Sequence, residues 1–331
     1  MTHWPTKSRQ STRTTWTCER LARERAIAIA CAIEPSSASV YSSAVKSYFN
    51  FCSLHSFPVD PTPDTLSFFT VYMAHYIKPE SISSYLSGIC NQLEPFFPDV
   101  RSHRHHWLVM KTLAGCWKMF PSAALRKRPV TRAELVNISQ QYNSSSSFDD
   151  TLALAILLTG FHDLMRLGEL TWPDNKDLRD YHKVVMRNSV QVNPGSFQFT
   201  LPGHKADRLF EGSLVLIQST KLGDDAWAPF TRYLDQRDRR FPLHAELWLK
   251  EDGTIPTRAW FLCFLHHHLA GDIGGQSLQA GGATALAEAG IPPYMIKAIG
   301  QWSSDAFQIY ICQHPILLAA LLYSSPSQLF H

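Results

Sequence analysis

No stretch of the 331-residue sequence is apolar for long. The longest such runs, Ala26 to Ile33, Leu152 to Leu158 and Ile316 to Leu322, fall well short of the ~20 residues that a membrane-crossing helix needs. The sequence has no CxxC pair and no metal-ligand spacing among its seven cysteines, at positions 18, 31, 52, 90, 116, 263 and 312. Their odd number and wide spacing argue against a disulfide framework and for reduced thiols in an intracellular compartment. Internal repeats are lacking as well. The start, Thr2 to Arg25, is too long and basic for the lead of a secretory signal, and Glu19 and Glu24 count against a transit peptide. Charged residues make up 18% and hydrophobic residues 45%, which excludes a disordered chain. A globular protein of about two domains is the class that remains.

Net charge is only +3, but it is unevenly spread. Residues 1–132 hold 16 Lys and Arg against 8 Asp and Glu, leaving 15 against 20 for residues 133–331. A basic half suits a polyanionic partner, because each cation that meets a phosphate releases condensed counterions. It equally suits a solvated basic surface, and composition leaves both readings open.

Periodicity makes the first half helical. Tyr41, Ala44, Val45, Tyr48, Phe49 and Cys52 share one helical face. A loop rich in Pro and Asp follows from Pro58, with Asp64 as the expected N-cap of a helix through Leu66, Phe69, Met73 and Tyr76. Ile82, Tyr85, Leu86, Ile89 and Leu93 mark a third helix between Pro79 and Pro95, and Leu108 to Trp117 a fourth. Such helices with short connections form a small bundle over residues 35–120, after a basic extension over 1–34. Residues 121–132, with Arg126, Lys127, Arg128 and Arg132, read as a basic linker. The remainder, 133–331, opens with a serine-rich loop (Asn143 to Ser147) and a helix apolar on most sides from Thr151 to Leu164. Val184 to Val192, Phe197 to Leu201 and Ser213 to Ile217 carry the residues of strands, and helices follow from Trp227 onward. The expected fold is mostly α in two domains, with a small antiparallel sheet in the second.

Several motifs carry little chemistry. His266, His267 and His268 are consecutive, so on a helix they diverge and cannot share a metal. His103, His105 and His106 sit in a basic stretch without cysteine partners. Gly281-Gly282 lies inside a helical segment with no strand before it, so it suits close approach of another backbone rather than a phosphate loop.

The informative residues are scattered. Arg166 precedes a glycine at the end of the buried helix, Lys205 sits in Pro202-Gly-His-Lys205 at the expected tip of a hairpin, and Trp302 and Tyr310 lie eight positions apart. Singly, each also fits an ion pair, a turn charge or a core aromatic. In this order they resemble the tyrosine recombinase (phage-integrase-like) family, in the version carried by fungal mobile elements. The resemblance covers about residues 35–323 and rests on four segments. These are Arg166-Leu-Gly-Glu-Leu170, His204-Lys-Ala-Asp-Arg208, Ala280-Gly-Gly-Ala-Thr-Ala-Leu-Ala-Glu-Ala-Gly290 and Trp302-Ser-Ser-Asp-Ala-Phe307.

The resemblance implies a helical core-binding domain, a basic linker and a catalytic domain that cleaves duplex DNA without metal or cofactor. A tyrosine hydroxyl attacks the phosphodiester, leaving a 3′-phosphotyrosyl link and a free 5′-hydroxyl. Carried over by position, Tyr310 is the nucleophile, Arg166 a phosphate clamp and Lys205 the general acid. Trp302 donates its indole N–H to the phosphate. It also implies double-stranded DNA as partner through Arg126, Lys127, Arg128 and Arg132, a homo-oligomer on DNA, and a nuclear location.

The family's histidine and second arginine are here Gln276 and Gln279. Gln279 keeps a donor amide but has neither the charge nor the fork of arginine, and Gln276 cannot shuttle a proton near neutral pH. One preorganised donor is worth ~10²–10³ in rate, so cleavage is expected to be impaired. Gln301 and Cys312 also stand where related sequences tend to carry arginine, as expected of a decaying gene. Two alternatives remain: a non-catalytic DNA-binding relic, and a competent recombinase with a substitute phosphate clamp.

Overall fold

Among the described residues, proline opens the helices at Pro35, Pro63, Pro79 and Pro293, where its missing N–H leaves no helical bond unmade. The computed structural model describes residues 14–121, 127–202, 212–220 and 222–302. It divides the chain into two compact units, 1–124 and 125–331. Both are mostly helical, and the second adds a three-stranded antiparallel sheet.

The first unit contains α1 (Cys18–Cys31), α2 (Pro35–His55), α3 (Pro63–Ala74), α4 (Pro79–Leu93), α5 (Val100–Arg104) and α6 (Trp107–Met119). Helix α1 falls within the basic extension and buries none of its residues. Thr62 caps α3, in place of the expected Asp64. Its hydroxyl accepts from the Thr65 N–H at 3.2 Å, Pro63 fills the first helical position, and Asp64 meets the positive end of the helix dipole from the first turn. Tyr48 and Phe51 each set a ring edge-on to Phe69 at 5.5 Å, within a core that includes Leu66, Ile82, Leu86 and Ile89. Gly88 lets α2 cross α4 closely, since a Cβ there would lie 2.9 Å from the Tyr41 Cα.

The second unit is organised on α8 (Phe148–His162), buried at every position from Phe148 to Phe161 except Asp149 and Asp150. Around it pack α7 (Arg132–Tyr142), α10 (Trp227–Arg240) and α12 (Ser277–Glu288), while α9 (Leu167–Leu170), α11 (Arg258–His268) and α13 (Pro293–Ile299) complete the helices. The sheet runs β1 (Gln191–Asn193), β2 (Ser196–Leu201), β3 (Ser213–Gln218), with Phe197 opposite Ile217 and Leu201 opposite Ser213. Its inner residues alternate as Phe197, Phe199, Val215 and Ile217, and Phe230 of α10 stacks on Phe197 at 3.8 Å.

The expected strand over 184–192 pairs with β2 only at Gln191–Asn193. Its earlier residues bond elsewhere: Arg187 N–H donates to the Ala245 carbonyl at 2.7 Å and Leu247 N–H to that of Val185 at 2.8 Å. Val184, Val185 and Val190 are buried all the same, so their apolar character reports burial without a ladder.

Residues 127–131, read from sequence as linker, are bonded into the second unit. Arg128 N–H donates to Asp272 O at 2.9 Å and Val130 N–H to Ser277 O at 3.0 Å. Val130 then runs against α12, where the double glycine makes room. A Cβ at Gly281 would lie 2.1 Å from the Val130 carbonyl oxygen, and one at Gly282 would lie 2.2 Å from that of Phe161. The two glycines admit two neighbouring backbones, as the sequence leads one to expect.

Candidate functional site

Helix α8 stops at His162 and the chain reverses through Leu164, which takes a left-handed φ of 52°. A branched side chain is strained there, so the surroundings must hold it. The Leu164 side chain is buried with Ala283 of α12 and Ile296 of α13, and its carbonyl accepts a hydrogen bond from Gln279 Nε2 at 2.9 Å.

The reversal places Arg166 at the start of α9. Glu169, one turn on, fixes it twice: one carboxylate oxygen accepts from the Arg166 backbone N–H at 2.8 Å and the other from Nη1 at 3.0 Å. The arginine side chain stays 27% exposed, so it offers further N–H donors from a fixed position. Asp163 lies beside this pair. Burial, then the Glu169 carboxylate, pushes its carboxyl up to about 8. At neutral pH Asp163 is therefore protonated and adds no negative charge next to Arg166.

Gln279 is buried on α12, and its bond to Leu164 commits one of its two N–H donors to the turn that carries Arg166. Gln276 is exposed at the N-cap of the same helix and makes no capping bond. Trp302 follows α13 and a second left-handed residue, Gln301 (φ 51°). Its ring covers Gly300 so closely that a Cβ there would meet it at 2.1 Å, and it packs on the cluster of Leu164, Ala283 and Ile296. Leu164 thus ties together Arg166, Gln279 and Trp302, three residues far apart in sequence. Lys205, Tyr310, Cys312 and Arg126 lie outside the described residues.

The basic linker residues have partners within their own unit. Lys127 pairs with Asp272, and Arg128 donates to both oxygens of Glu134 at 2.7 and 3.0 Å and to the Ala270 carbonyl. Arg132 lies 3.5 Å from the buried Asp224. A charge run in sequence is here a set of ion pairs, because the carboxylates come from positions 134, 224 and 272. The consecutive histidines diverge: His266 bonds the Ile273 carbonyl and His268 the Tyr142 hydroxyl. Among the described residues no group of His, Cys, Asp and Glu is placed to hold a metal, and no helix is long and apolar enough to cross a membrane.

The Arg166–Glu169 spacing was visible in sequence. The raised Asp163 and the Gln279–Leu164 bond were not, since each depends on how α8 and α12 pack.

No protein-family model and no curated protein sequence matches the chain. Solved structures do. A lambda integrase dimer bound to a COC′ core site is similar with a TM-score of 0.51 and 14% identity, over 88% of this chain and 76% of that one. The post-cleavage complex of the XerH site-specific recombinase with a palindromic difH substrate is similar with a TM-score of 0.50 and 12% identity, over 80% of this chain and 70% of that one. The chain has the fold of the tyrosine recombinases.

Proposed function

We propose that this protein binds double-stranded DNA and breaks and rejoins it through a 3′-phosphotyrosyl link to Tyr310, with strand cleavage strongly attenuated. The observation that carries the reading is the placement of Arg166 on this fold. It sits at a strained turn, held by Glu169 and anchored through Leu164 to α12. Positive charge fixed in advance is what a pentacoordinate phosphoryl centre requires, because its equatorial oxygens gain negative charge in the transition state. Lys205 protonates the leaving oxygen and Trp302 donates to the phosphate, so the chemistry runs on side chains and needs no cofactor.

Attenuation follows from Gln279 and Gln276. The Gln279 amide is neutral and one of its donors serves Leu164, so it replaces little of a guanidinium's work. Copies of the chain act together on DNA, in the nucleus, as part of a mobile element of the fungal type. The lambda integrase neighbour, a dimer on its core site, is consistent with such assembly.

A pool of nicked duplexes of randomised sequence, scored for protein–DNA adducts that survive denaturation, tests the reading. The unmodified chain should give a trace at most. Gln279→Arg should raise adduct formation about 10²-fold, the scale of one well-placed cationic donor. Adding Tyr310→Phe should abolish it. Robust cleavage by the unmodified chain overturns the attenuation, and an adduct that survives Tyr310→Phe overturns the choice of nucleophile.

A further inference from the structure

We propose that Arg258 is a phosphate-binding residue of the candidate site, reaching it from α11 beside the start of α12 without taking the place of Gln279. The proposal rests on the reading of Arg166 as a phosphate clamp and adds a residue to that same site.

The backbone of Arg258 is pinned to the segment that follows α9. Its N–H donates to the Trp172 carbonyl at 2.8 Å, Trp172 N–H donates to the Pro256 carbonyl at 2.9 Å, and Trp172 pairs with Thr257 in a parallel bridge. From this anchor the side chain reaches Gly275. A Cβ at that glycine would lie 3.0 Å from Arg258 Nη2 and 3.3 Å from both its Cζ and Leu167 Cδ2. Leu167 is the residue after Arg166, and Gly275 is the residue before Gln276. The guanidinium therefore stands where the two halves of the candidate site meet, one chain step from each. Helix α12 begins at Ser277, so the positive end of its dipole lies at the same place.

The second observation is that Arg258 has no partner among the described residues. Other arginines of the second unit are engaged: Arg128 with Glu134, Arg166 with Glu169, Arg187 with Asp238, Arg240 with Glu251. Arg258 is exposed, and its side chain makes no hydrogen bond or ion pair among the described residues. Asp174 accepts from the Ala259 N–H at 2.9 Å, and Asp272 pairs with Lys127. An arginine held at its base, without a partner for its head among the described residues and set beside a glycine, fits a doubly hydrogen-bonded phosphodiester.

The ligand chemistry is a phosphate oxygen pair, and inorganic phosphate is the probe. Binding of phosphate to the intact chain, without DNA, is followed by thermal shift and ³¹P line broadening against chloride at matched ionic strength. The unmodified chain should bind phosphate saturably. Arg258→Ala and Arg166→Ala should each weaken that binding about tenfold or more, the scale of a charged hydrogen bond. The double variant should lose less than the two single losses combined, because both side chains hold one ion. Arg258→Lys should fall between. Gly275→Ala, which displaces the guanidinium without removing it, should also weaken binding and supplies the test if Arg258→Ala does not fold.

Phosphate affinity unchanged by Arg258→Ala and Gly275→Ala overturns the proposal. So does a loss on Arg258→Ala that Arg166→Ala does not share, which would mean a separate anion site, and so does absence of saturable binding in the unmodified chain. Failure of the recombinase reading looks different: no adduct from any restored variant and no affinity for duplex DNA, with the Arg258-dependent phosphate binding intact.

Discussion

Gly88 in the first unit and Gly281 and Gly282 in the second all stand where a helix meets a neighbour too closely for a side chain, yet what they face differs. A Cβ at Gly88 would meet the Tyr41 Cα and the Ala44 Cβ of another helix at 2.9 and 3.0 Å, and helices can slide by a few tenths of an ångström. A Cβ at Gly281 or Gly282 would instead meet a carbonyl oxygen at 2.1 or 2.2 Å. Those oxygens belong to the segment entering α7 and to the end of α8, neither of which can move without carrying other bonds with it. The looser crossing belongs to a bundle. The rigid one belongs to the wall that holds Arg166, Gln279 and Trp302, and a phosphate clamp works only if its donors are in place before charge develops.

The comparison breaks most sharply at Gly281. Gly281→Val should destabilise the second unit by roughly 4 kcal/mol or more, the range reserved for backbone clashes in a core. Urea unfolding followed by circular dichroism should show an early transition or a chain that does not fold. Gly88→Ala should cost about 1–3 kcal/mol, as overpacking does when neighbours can yield. Equal losses at the two sites would remove the distinction between them.

A smaller effect separates the cations of the two units. Lys46, Lys111 and Lys118 of the first unit are exposed and have no carboxylate partner among the described residues, whereas Lys127 and Arg128 already have one each. Replacing the three lysines by glutamine should flatten the logarithmic salt dependence of duplex binding by up to about 3, nearly one for each phosphate left without its cation. Replacing Lys127 and Arg128 should flatten it less per residue, because breaking an existing ion pair offsets part of the change. Equal slopes per charge would mean that DNA takes the linker cations from their partners.

The smallest effect is one of pH. The Asp163 carboxyl, pushed up to about 8 when folded against about 4 when unfolded, binds its proton more tightly in the folded state. Its contribution is therefore fully present below about pH 4 and is lost as pH rises towards 8. Asp163→Asn should remove this decline and raise Tm at pH 8 by about 4 °C or more, with little change at pH 4. A parallel pH profile in the two proteins would place the decline on other groups.

What the sequence determined by itself is local. The helical periods of the first unit, the all-round apolar α8, the alternation of β2 and β3, the glycine pair and the Arg166–Glu169 spacing all involve residues within one or two turns of each other. Propensity and pattern act at that range. The sequence overreached at the strand over 184–192, where buried valines were bonded elsewhere, and at Asp64, where Thr62 was the better cap. Only the tertiary structure decided that Gln279 bonds the carbonyl of Leu164, two residues before Arg166, that the linker cations find carboxylates at 134, 224 and 272, and that Arg258 meets Gly275. Most of these pairings join residues many positions apart. They exist because α8, α11 and α12 converge, and a short-range pattern carries no record of which distant backbone a side chain will face.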